Sequence, residues 1–140
     1  MDANQQNANV QFANKFTCKL PYLPMREIIF YRTQANECPV EEFLDALDSK
    51  QAQKVAWVMQ LVEELELIPT TYLKKLTNTD GLWEIRAQQG NNIFRFLGFF
   101  DEQRFIVLTN GFQKKTQKTP KAEILLSEQR KKDYMERKNK

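Results

Sequence analysis

The chain has no histidine. That removes the side chain most used for proton transfer near neutral pH and the commonest metal ligand. A zinc site would need two cysteines plus carboxylates at irregular spacing, so neither a metal nor another cofactor is expected. Any catalysis falls to Arg, Lys, Tyr, Asp or Glu. The two cysteines, Cys18 and Cys38, do not make a disulfide framework and read as free thiols in a reducing compartment. No apolar stretch approaches the roughly 18–20 residues that span a bilayer. Met1 to Lys15 holds no apolar run of the secretory kind. These absences lead us to expect a cytoplasmic protein that does not bind membranes.

What is present is ordinary in amount and unusual in placement. With 140 residues, 28% charged and 41% hydrophobic, the chain fits one domain by size. A core of that size buries roughly two-thirds of the unfolded surface without staples. The net charge of +3 is unevenly spread. Residues 1–25 carry +1, residues 26–80 carry −4 and residues 81–140 carry +6. A basic half fits a polyanion or an acidic protein partner. A solvated helix face with extra lysines fits the charge equally well.

Residues 1–24, rich in Asn, Gln and then Pro, read as a flexible leader, and residues 25–140 as the folded domain. Arg26 to Arg32 reads as a strand. Pro39 opens a helix with Phe43, Leu44 and Leu47 on one face. Ser49 caps a longer one, with Ala52, Val55, Ala56, Met59, Val62 and Leu65 as its stripe. Glu63, Glu64 and Glu66 are expected to face water, and Pro69 to end the helix. After a connector with Lys74 and Lys75 the period changes to two. Residues 82–87, 93–100 and 105–111 read as a three-stranded meander. Thr119-Pro120 offers the cap and first residue of a last helix, with Ala122, Leu125 and Leu126 as its apolar side. Beyond Gln129 that helix is expected to fray. The fold class is α+β.

A two-residue turn at Gly90-Asn91 sets the register of the first hairpin. Trp83, Ile85 and Ala87 then face Gly98, Phe96 and Phe94 on an apolar side. On the opposite side, expected to be open, Glu84 meets Leu97 and Arg86 meets Arg95. Two arginines directly opposite repel, which calls for a counter-charge. A bound anion supplies one; Glu84, as a structural salt bridge, supplies another. The second hairpin brings Asn110 or Leu108 beside Arg95, and Phe112 leads into Lys114, Lys115 and Lys118. Arginine forks with mobile ammonium groups suit phosphate. Phe99 and Phe112 offer faces for unpaired bases. Asn110 and Lys121 complete the candidate RNA contacts.

The runs Gly81-Leu-Trp-Glu-Ile-Arg86, Phe94-Arg-Phe-Leu97 and Thr109-Asn-Gly-Phe-Gln-Lys-Lys-Thr-Gln-Lys-Thr-Pro120 resemble the phage-derived HigB-like branch of the RelE/ParE toxin superfamily. The likeness covers roughly residues 26–137. It implies an N-terminal strand, a helical hairpin on an antiparallel sheet and a C-terminal helix. It also implies the toxin of a type II toxin–antitoxin pair, partnered by a helix-turn-helix antitoxin and cleaving mRNA on the ribosome. Carried over by position, Arg86, Arg95, Lys114 and Lys115 are the catalytic candidates and Lys118 an RNA contact. Relatives often carry His where this chain has Asn110. Two alternatives stay open: a ParE-type toxin acting on DNA gyrase, and a partner-binding relative with no toxicity.

Overall fold

The computed structural model describes residues 24–115 and 118–140. The leader, apart from Pro24, lies outside the described residues, and Cys18 with it. Five strands form one mixed sheet in the order β1-β5-β4-β3-β2. They are β1 (Glu27–Phe30), β2 (Leu73–Lys75), β3 (Leu82–Gln89), β4 (Asn92–Asp101) and β5 (Phe105–Lys114). The expected N-terminal strand and three-stranded meander are therefore incomplete as an account of the sheet. The connector contributes β2, antiparallel to β3, and β1 runs parallel to β5. With one apolar residue in three, β2 is too short to show a period of two.

The first hairpin has the anticipated register, with Trp83 opposite Gly98, Ile85 opposite Phe96 and Ala87 opposite Phe94. Gly90 supplies the positive φ (62°) that its turn demands. In the second hairpin Asp101 pairs with Phe105, and an irregularity between Leu97 and Gly98 leaves Thr109 as the extra residue on β5. Both effects push the pairing along, so Phe112 faces Arg95 rather than Asn110 or Leu108.

Helix α1 (Pro39–Asp45) and helix α2 (Ser49–Glu64) cover one face of the sheet. The cap of α2 is Asp48, one residue before Ser49. Its Oδ1 accepts from Gln51 N at 2.8 Å, while Gln51 Oε1 accepts from Asp48 N at 3.1 Å. The helix stops at Glu64, short of Pro69. Pro69 instead makes a turn, its carbonyl accepting from Tyr72 N and Leu73 N. Val58 joins the buried stripe, and so does Glu63, against expectation. Its Oε2 accepts from Ile28 N at 2.9 Å, which binds α2 to β1.

The opposite face is not open. Helix α3 (Lys121–Lys138) lies across it and seals a second core of Tyr31, Leu82, Phe99 and Val107 with Ile124, Tyr134 and Met135. The side of α3 that turns inward is therefore not Ala122 and Leu125; Leu125 is 60% exposed. Thr119 and Pro120 do not act as foreseen either. Lys121 is the first helical residue, and the Thr119 side chain makes no cap. Nor does α3 fray past Gln129. Tyr31 Oη donates to Asp133 at 2.6 Å, Tyr134 Oη to Asp101 at 2.9 Å, and Lys138 Nζ to Asp101 at 2.6 Å. Charge there serves as attachment too, through directed contacts that add to the apolar packing of Tyr134 and Met135.

Candidate functional site

Side chains two apart on a strand share a face, so Glu84 and Arg86 of β3 join Arg95 of β4. Arg86 and Arg95 are cross-strand partners. Glu84 Oε1 lies 3.6 Å from Arg86 Nε and 3.5 Å from Arg95 Nε. Its other oxygen accepts from the Thr119 hydroxyl at 2.7 Å. Glu84 is 2% exposed, so its single negative charge stands between two guanidinium groups and is held by the segment leading into α3. The Thr119 hydroxyl thus orients this carboxylate.

The two arginines are not equivalent. Arg86 is partly exposed, and its Nη1 donates to the Thr70 carbonyl at 3.2 Å. Arg95 is buried, and its Nη1 donates to the Phe94 carbonyl at 3.1 Å. Both Nε atoms are buried without a hydrogen-bond partner among the described residues. Burial pulls the Arg95 pKa down; Glu84 opposes this and Arg86 adds to it. Lys114 joins the same electrostatic group from the end of β5. Its pKa is lowered, first by burial and next by Arg95, with Arg86 and Lys74 adding and Glu84 opposing.

Beside the arginines a cleft of about 360 Å³ is lined by Lys54, Thr71, Tyr72, Arg86, Ala87, Gln88 and Arg95. It opens where Thr71 and Tyr72 lead into β2, beside the part of β3 that β2 does not pair with. A positive cleft lined by two guanidinium groups and a lysine suits an anion with several acceptor oxygens. Among the described residues no cluster of acids and cysteines is placed to hold a metal.

The other candidates divide. Lys115 and Lys118 are exposed near the site, and Lys121 is exposed at the start of α3. Phe99 is fully buried beneath α3, edge-to-face with Tyr134 at 5.5 Å, so its ring has no face for a base. Phe112 stands next to Arg95 but is 8% exposed, which denies it a stacking role. Asn110 is also buried. Its Nδ2 donates to Glu123 Oε1 at 2.8 Å, and its Oδ1 accepts from Thr109, so it fastens β5 to α3 rather than meeting RNA. Lys54, Thr71, Tyr72 and Thr119 were not foreseen. The legible signal for Lys54 was a lysine one helical turn from Trp57, on a face of α2 that carries little else apolar.

No helix among the described residues is long and apolar enough to cross a membrane. No curated protein matches the chain. A family model, phage-derived protein Gp49-like (DUF891), matches residues 42–132. The matched span holds β2 to β5, the arginine pair, Glu84 and Lys114. Covering well over half of the sequence, this match assigns the chain to the phage-derived Gp49-like family.

Proposed function

We propose that this chain is the toxin of a type II toxin–antitoxin system, of the HigB-like kind, and that it cleaves mRNA on the translating ribosome. Membership in the Gp49-like family, a RelE/ParE-like toxin family, supports the toxin role and an antitoxin partner. The observation that carries the nuclease reading is the directly opposed pair Arg86 and Arg95 at a polar cleft. Fold likeness alone would not separate RNA cleavage from gyrase inhibition.

In the proposed reaction a ribose 2′-oxygen attacks the adjacent phosphorus. The P–O5′ bond breaks, leaving a 2′,3′-cyclic phosphate and a free 5′-hydroxyl. Negative charge gathers on the phosphate oxygens. Arg86 and Arg95 stabilise it, each well-aimed donor contributing about 3 kcal/mol. Neutral Lys114 takes the 2′-proton, a role its lowered pKa favours. The leaving 5′-oxygen is protonated by Lys115 or solvent. Lys118 and Lys121 hold the flanking backbone. A helix-turn-helix antitoxin neutralises the toxin and brings acidic residues to the basic face.

The test is induced expression of the wild type beside Arg86→Ala and Arg95→Ala in a bacterial host, with growth scored and mRNA 5′ ends mapped. Growth arrest with new 5′ ends, absent in both variants, is the expected result. Arrest with intact mRNA overturns the nuclease reading and directs attention to gyrase. Soluble protein without arrest leaves a partner-binding role.

A further inference from the structure

Trp57 is the most exposed aromatic residue among the described residues, at 44%. An indole left in water forgoes the burial that its large apolar surface would gain. Its neighbours hold it there. Tyr72 stands edge-to-face with it, centroids 5.8 Å apart at 86°, and Lys54 Nζ sits 4.6 Å over the ring. Both neighbours also line the arginine cleft. Lys50, one turn before Lys54, is exposed on the same side of α2.

We propose that Trp57 and Tyr72 form a stacking subsite for an unpaired base of single-stranded RNA whose backbone phosphate occupies the arginine cleft. This rests on the RNA reading above and adds to it a second point of attachment. Aromatic faces beside a cationic groove are how single strands are held without sequence readout. A duplex keeps its base faces stacked on one another, so the subsite selects single strands. The alternative occupant, an apolar protein segment, has less in its favour, because Lys54 lies over the indole and Arg86 and Arg95 line the adjoining cleft.

The protein holds two tryptophans, Trp57 and Trp83. Trp83 is partly buried, edge-to-face with Phe100 at 5.2 Å, so Trp83→Phe leaves Trp57 as the sole reporter. The probes are a 2′-O-methyl oligoribonucleotide, which has no 2′-hydroxyl to react, and inorganic polyphosphate. The oligonucleotide is expected to quench Trp57 emission, and polyphosphate to bind with little quenching. Trp57→Ala is expected to weaken oligonucleotide binding on the order of tenfold and to leave polyphosphate affinity unchanged; Trp57→Phe restores most of the loss. Equal oligonucleotide affinity in wild type and Trp57→Ala overturns the subsite while sparing the arginine cradle, and assigns the patch to a protein partner. Equal losses for both probes overturn it as well, since the indole then acts on the fold. No binding of either probe by the wild type overturns the subsite, and the ribosome-dependent reading then rests on the expression test alone.

Discussion

Arg95 faces Arg86 directly across β3 and β4, and one buried carboxylate, Glu84, lies within 3.6 Å of an Nε on each. Replacing that carboxylate with an amide of the same shape leaves two cations facing each other in a poorly hydrated place. Glu84→Gln is expected to lose about 3 kcal/mol in urea unfolding, the usual cost of breaking a buried ion pair. Added phosphate is expected to recover part of this, beyond its effect on the wild type, by supplying the missing negative charge. A variant as stable as the wild type, with no extra response to phosphate, would show the two arginines do not need Glu84.

Lys114 carries the second prediction. If neutral Lys114 takes the 2′-proton, ribosome-dependent cleavage rises with pH until the lysine is deprotonated. Its lowered pKa brings that limb closer to neutrality than an ordinary lysine would. Lys114→Arg keeps the charge and removes the limb, because guanidinium does not lose its proton in this range. Rates measured from pH 6.5 to 9 on both proteins check this. An unchanged profile in Lys114→Arg would assign proton transfer elsewhere.

Glu63 sets a third, on stability alone. Buried between α2 and β1, its carboxyl is pushed up to about 7 by desolvation, against the hydrogen bond from Ile28. The folded state therefore binds the proton more tightly than the unfolded chain, where the group titrates near 4.5. The resulting stabilisation is present in full below about pH 4.5 and is lost as pH rises through about 7. The loss is on the order of 3 kcal/mol. Glu63→Gln removes this slope, so urea unfolding at pH 5 and pH 8 should show the variant gaining on the wild type at the higher pH. Parallel behaviour of the two proteins would falsify the assignment.

Gly98 is the fourth. A Cβ built there meets the Val107 carbonyl oxygen and lies 2.9 Å from Leu108 Cδ2. The Val107 oxygen belongs to the backbone of a paired strand and cannot turn aside. Gly98→Ala is expected to cost more than about 2 kcal/mol, as overpacking with a backbone shift does. Thermal unfolding beside Gly90→Ala is the check. Gly90 has open space around it but a φ of 62°, so its variant reports conformational strain alone.

The parts legible in sequence were those set by short-range chemistry. Gly90-Asn91 between two alternating runs was enough to place Arg86 against Arg95, because a two-residue turn leaves few registers. Pro39 marked the start of α1 for the same kind of reason. Long-range placement was hidden. Nothing local in residues 27–30 says that β1 pairs with β5, or in parallel. The heavy charge of α3 concealed its docking, because Asp133, Arg137 and Lys138 lie in the stretch expected to fray and are in fact tethered. That misplacement turned Phe99 from a core residue into an apparent base platform. Trp57 and Lys54 escaped notice because they lie outside the apolar stripe that identified their helix.

The parallel pairing of β1 with β5 also governs when the protein can fold. Its partners are separated by about two-thirds of the described chain, Glu27 meeting Phe105 and Phe30 meeting Leu108. During synthesis β1, α1 and α2 emerge with their apolar faces bare, because the strands they pack on are made later. Contacts of such span form slowly. Glu84, Arg86 and Arg95 meet within the β3–β4 hairpin, whereas Thr119 reaches Glu84 only after β5 has been made, so the site is completed late in folding.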